Sequence, residues 1–210
     1  LLVFRNVRSQ SNTTHKSVPM LLSAASAADH DRLYDEKSII TAFREAGFHT
    51  TFVSNQLPNH SYIDFFGSEA DDCIFIREDE TEAKEGSEDV VKATSDEQLL
   101  PYVKRILAKK RTKELIVLHT YGSHFNYRDR YPQSEARFLP DTPTEAKAKN
   151  RPSLINAYDN TILQTDRILA SIIGMLRDRG CAAAMIYTSD HGENIFDDQR
   201  LRFLHASPVP

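Results

Sequence analysis

Leu115-Ile116-Val117-Leu118-His119 is an apolar run that closes on an imidazole, with Gly122-Ser123-His124 directly behind it. A short run rich in branched side chains and bounded by polar residues fits a strand buried inside a sheet. Working outward, 50–54 (TTFVS), 73–76 (CIFI) and 184–188 (AMIYT) have the same character, and 2–7 offers a further strand at the start. Helical patterns lie between them. Residues 36–46 end at Gly47, a helix stop ahead of a strand. Residues 96–109 put Leu99, Leu100, Val103, Ile106 and Leu107 on one face, and the longest pattern, 153–179, ends at Gly180. Strands alternating with helices predict an α/β fold: a mostly parallel central sheet covered on both faces, in a three-layer α/β/α sandwich.

The 210 residues suit one domain with a sizeable core, since 40% are apolar and no composition break divides them. With 26 basic against 30 acidic residues the formal charge is −4, which argues against nucleic acid as a partner. No run approaches the roughly 18 apolar residues of a membrane span. Cys73 and Cys181 are too few for a disulfide scaffold or a cysteine-built metal site. Two stretches read as irregular. Residues 69–97 hold twelve carboxylates, a pattern of solvated surface, and 128–152 carry four prolines, a pattern of a long loop over the sheet edge.

Ligands of open parallel sheets sit at the carboxyl ends of the strands. The residues found there are Ser54-Asn55-Gln56, His119 through His124, and Ser189-Asp190-His191-Gly192-Glu193, with Asn12-Thr13-Thr14-His15 after the first possible strand. Asp190 and His191 side by side can reach one metal if the chain bends, although Asp-His pairs also serve capping turns. Nitrogen and carboxylate oxygen together suit zinc, and manganese less well. Thr14 precedes an apolar run and fits an ordinary helix start; its functional reading is a hydroxyl nucleophile at a helix N-terminus, where free N–H groups favour phosphate. A metal would cure the poor nucleophilicity of that hydroxyl, so Thr14 and the Asp190–His191 pair make sense together. His124 and His205 are each ambiguous alone; in one pocket they could bind a second metal, grip a phosphate or protonate a leaving group.

Five segments in order resemble the phosphoethanolamine transferases, membrane-anchored bacterial envelope enzymes in the sulfatase branch of the alkaline phosphatase superfamily. They are Asn12-Thr13-Thr14-His15-Lys16-Ser17-Val18-Pro19-Met20, Leu118-His119-Thr120-Tyr121-Gly122-Ser123-His124 with Arg130-Tyr131-Pro132, Ser153-Leu154-Ile155-Asn156-Ala157-Tyr158-Asp159-Asn160, Tyr187-Thr188-Ser189-Asp190-His191-Gly192-Glu193, and Leu204-His205. The resemblance implies the same α/β/α sandwich and the transfer of phosphoethanolamine from phosphatidylethanolamine to lipid A or an envelope oligosaccharide. Thr14 falls on the nucleophile that carries the group. Asp190, His191 and the Thr14 oxygen fall on ligands of one or two zinc ions. His124 and His205 fall on histidines that handle the phosphate or a second zinc, and Asn55 and Gln56 on a segment that contacts substrate.

The departures are equally specific. The family takes a further zinc ligand from a glutamate in a Gly-Glu-Ser/Thr turn, and no such turn precedes Thr14. The family's N-terminal membrane helices have no counterpart here, and Cys73 and Cys181 do not fall on its disulfide cysteines. The expectation is a catalytic domain cut at both ends, with weakened metal affinity, from a parent anchored at the periplasmic face of the inner membrane. Two other readings remain: a phosphodiesterase or sulfatase that passes the group to water, and a non-catalytic domain that binds head groups.

Overall fold

A computed structural model describes residues 2–76, 95–197 and 202–205. Three parallel strands, β1 (His49–Ser54), β2 (Asp72–Phe75) and β3 (Glu114–His119), form a sheet in the order β2-β1-β3. β1 is central, and five of its six residues are buried. The register pairs Ser54 with both Phe75 and His119, so all three strands end level at their carboxyl edge.

Successive side chains of a strand point to opposite faces, and both faces here are apolar. On one face Phe52, Phe75, Leu115 and Val117 meet Val18 of α1 (Thr14–Leu22), Ile40 of α2 (Ile39–Glu45) and Ile63 of α3 (Tyr62–Gly67). On the other, Val53, Ile74, Ile116 and Leu118 meet Leu99 and Ile106 of α4 (Leu99–Ala108). The long α5 (Arg151–Arg179) packs beside α4 through Ile168 and Ile172, against Val103 and Leu118. The three-layer arrangement is therefore the one the alternation predicts. α5 stops where Gly180 takes a left-handed φ of 65°, a conformation that favours glycine.

Gly67 at the end of α3 allows a close approach to the sheet. A Cβ there would lie 2.8 Å from Cδ1 and Cε1 of the fully buried Phe52 ring. Gly67→Ala is expected to cost about 1–3 kcal/mol by overpacking. A thermal melt checks this, with Tm falling by roughly 3–10 °C.

Two expected strands do not form. Residues 184–188 join no ladder, and Ile186 is 92% exposed. Residues 2–7 are also outside any strand, with Leu2, Val3, Phe4 and Val7 exposed. The reason is physical: an apolar run becomes a strand only when an edge takes up its N–H and C=O groups. β3 offers those groups to β1 and, among the described residues, to no other strand. The loop predicted over 128–152 is observed, broken by short 3-10 turns such as Tyr127–Arg130 and Ala148–Asn150. Most of the acidic stretch at 69–97 lies outside the described residues.

Candidate active site

Thr14 opens α1, directly after Thr13, whose extended backbone and carbonyl start the helix by accepting from Lys16 and Ser17 N–H at 3.1 and 2.9 Å. The helix brings the Thr14 hydroxyl to the residue 177 positions later. Its Oγ1 lies 3.1 Å from His191 Nε2. Asp190 Oδ2 lies 3.4 Å from the same nitrogen. The Ser9 hydroxyl meets the Asp190 carbonyl and so ties the segment ahead of α1 to the one bearing Asp190 and His191.

These distances test the fit of a metal. Tetrahedral zinc with bonds of about 2.0–2.1 Å holds neighbouring donor atoms roughly 3.3–3.4 Å apart. The separations of 3.1 and 3.4 Å around His191 Nε2 are of that size. Hydroxyl oxygen, carboxylate oxygen and imidazole nitrogen are also the donor types zinc takes. A second, overlapping donor set is present. His191, Glu193 and His205 each offer an atom within 4.8 Å of the others.

The tautomers are set by what the other ring nitrogens touch. His191 Nδ1 is 3.0 Å from the Gly192 carbonyl, which can only accept, so Nδ1 carries the hydrogen and Nε2 presents its lone pair. The Thr14 hydroxyl is then the donor to Nε2. His124 Nδ1 donates in the same way to the Phe125 carbonyl. His205 Nδ1 donates to Glu193 Oε1 at 3.1 Å. The other Glu193 oxygen accepts from the Tyr127 hydroxyl at 3.3 Å, and burial and the neighbouring Glu193 push that phenol far up, so it remains a donor. Each of the three histidines thus keeps Nε2 as an acceptor.

The rings form a row. His191 and His205 have centroids 4.4 Å apart, and His205 and His124 6.0 Å. Burial pushes the His124 imidazole below the usual histidine range, and the Arg130 guanidinium and His205 add to this. At neutral pH His124 is therefore a base rather than an imidazolium. Thr14, Asp190, His191, His124 and His205 are brought together. Asn55 and Gln56 are not part of this cluster. Asn55 is buried and donates through Nδ2 to Asp96 Oδ1 at 2.8 Å, while Gln56 Nε2 donates to the Thr120 carbonyl at 2.9 Å. Both stabilise the loop after β3. Glu193 was missed by sequence reasoning although it stands two residues after His191; a carboxylate on the far nitrogen of a histidine depends on tertiary placement. Asp96 was missed for the same reason.

A sequence profile of the Sulfatase family matches residues 1–207. The chain belongs to the sulfatase family. Curated relatives of the chain include the Kdo(2)-lipid A phosphoethanolamine 7''-transferase of Escherichia coli K12, 30% identical over 212 residues, 99% of this chain and 35% of that protein. The phosphoethanolamine transferase EptC of the same strain is 27% identical over 203 residues, 94% of this chain and 34% of that protein. The chain thus spans about a third of the length of these relatives. Among solved structures, the zinc complex of the C-terminal periplasmic domain of EcEptC from Escherichia coli superposes with a TM-score of 0.82 at 23% identity, covering 97% of this chain and 56% of that one. The soluble domain of lipooligosaccharide phosphoethanolamine transferase A from Neisseria meningitidis gives 0.73 at 22% identity, over 98% of this chain and 60% of that one. The sandwich is therefore a sulfatase-family fold shared with these domains.

Proposed function

We propose that this sulfatase-family chain is the catalytic domain of a phosphoethanolamine transferase. In this reading it moves phosphoethanolamine from phosphatidylethanolamine to lipid A or an envelope glycan, at the periplasmic face of the inner membrane. The observation that carries the reading is the meeting of Thr14 Oγ1 with His191 Nε2 at 3.1 Å, at the N-terminus of α1. The names of the curated relatives support the group transferred, and the EcEptC periplasmic domain supports the location.

Thr14, Asp190 and His191 would hold a zinc ion, leaving Glu193 and His205 to move protons. When bound, zinc supplies Lewis acidity that activates a hydroxyl at neutral pH and offsets charge on phosphoryl oxygens. The chain's own groups do the rest. Thr14 Oγ1 forms a bond to the donor phosphorus, its proton passes to His205 Nε2 because His191 Nε2 would face the metal, and the phosphorus–oxygen bond to diacylglycerol breaks. The N-terminal N–H groups of α1 face the charge that develops on the phosphoryl oxygens. His205, oriented by the Glu193 carboxylate on its Nδ1, is arranged to hand the proton it takes from Thr14 to the departing oxygen. His124, neutral and with Nε2 as acceptor, is arranged to take the proton of the acceptor hydroxyl in the second half-reaction.

The test follows both products of the donor in the natural protein, with labelled phosphatidylethanolamine and with lipid A present or absent. The expected result is release of diacylglycerol with the label on the acceptor, in equal amounts. Free phosphoethanolamine in place of labelled acceptor would replace transfer by hydrolysis.

A further inference from the structure

The loop that carries His124 is held by two buried side chains of opposite charge that come from different parts of the chain. Asp96, 8% exposed, accepts from Tyr121 N–H at 2.7 Å through Oδ1 and from Gly122 N–H at 2.8 Å through Oδ2. Asn55 Nδ2 shares Oδ1. Gly122 sits at a φ of 60°, so the loop turns where the carboxylate grips it. Arg130, also 8% exposed, donates from Nε to the His124 carbonyl at 2.9 Å and from Nη2 to the Phe125 carbonyl at 3.3 Å. Its guanidinium lies 3.9 Å from the centre of the Tyr121 ring, and that ring packs edge-on against His124 at 5.3 Å. The backbone on both sides of His124 is thus fixed by these two charged groups.

We infer that Asp96 is a positioning residue, whose two carboxylate oxygens fix the Tyr121–Gly122 backbone and thereby place the His124 imidazole beside His205. Neither oxygen can be replaced by a neutral donor without loss, because both face N–H groups. Asparagine at this site keeps one acceptor and turns an NH2 group toward the other N–H, which loses one charge-assisted hydrogen bond and sets two donors against each other. The part of the inference that concerns His124 rests on the proposed transfer reaction; the grip on the loop does not.

Two readouts separate these. In hydrogen exchange, Asp96→Asn is expected to speed the Tyr121 and Gly122 amides by at least about tenfold and leave the β1 amides unchanged. In the unaltered protein those two amides exchange at least about 100-fold slower than an open loop, which holds the test if the variant does not fold. In transfer assays on the natural protein, Asp96→Asn lowers kcat about tenfold with KM unchanged, and adds nothing in a His124→Ala background. Unprotected Tyr121 and Gly122 amides, or an Asp96→Asn effect that multiplies with that of His124→Ala, would overturn the inference. Absence of transfer in the unaltered protein would overturn the proposed function and leave the exchange result to decide whether Asp96 grips the loop.

Discussion

Thr14→Ala is expected to abolish the proposed phosphoethanolamine transfer while leaving the fold in place. The variant removes the atom that carries the group in the proposed reaction, so that covalent route is closed. Loss of a nucleophile that works as one unit with its neighbours costs on the order of 10^4–10^6-fold in kcat, and positioning and electrostatics supply the remainder. Stability should barely change. Thr14 lies in the first turn of a helix whose cap position belongs to Thr13, and it is only partly buried. Substitutions at such places stay within about 0.5 kcal/mol, so Tm should hold to within about 2 °C. A kinetic assay beside a thermal melt separates a lost nucleophile from a lost fold.

The second large effect is on the metal. His191→Ala is expected to weaken zinc binding by at least about 100-fold, more than the 10–100-fold that loss of a supporting partner behind a ligand costs. Its Nε2 lies within 3.4 Å of both the Thr14 hydroxyl and the Asp190 carboxylate, the place where a metal would meet all three. Titration against a zinc chelator measures this directly. His124→Ala should leave zinc affinity within a few-fold, because the His124 ring lies beyond His205 in the row. Equal losses in the two variants would move the metal from Thr14 and Asp190 toward the other end of the histidine row.

The sheet was legible because its strands are apolar on both faces. Phe52 and Val53, or Ile116 and Val117, go to opposite layers and each finds a helix, so the run and the fold say the same thing. Residues 184–188 have the same composition and form no strand, because composition does not bring a run into register with the edge of β3. The candidate site was legible through motifs: Asp190-His191 and Thr14 each have a bland reading alone, and the proposed chemistry depends on a contact across 177 residues. Asn55 and Gln56 stand at the right strand end, yet their amides serve Asp96 and Thr120. Asp96 shows why such residues resist sequence reading. At the start of a helical pattern it looks like an ordinary first-turn carboxylate, and its partners are backbone N–H groups that carry no sequence signature.

The most direct test of the central claim is intact-mass spectrometry with peptide mapping, on the natural protein incubated with zinc and phosphatidylethanolamine before any acceptor is added. The account predicts a phosphoethanolamine adduct localised to Thr14 that is discharged when lipid A is supplied and is missing in Thr14→Ala. Donor cleavage with an adduct on another residue, or with full turnover retained in Thr14→Ala, would contradict it.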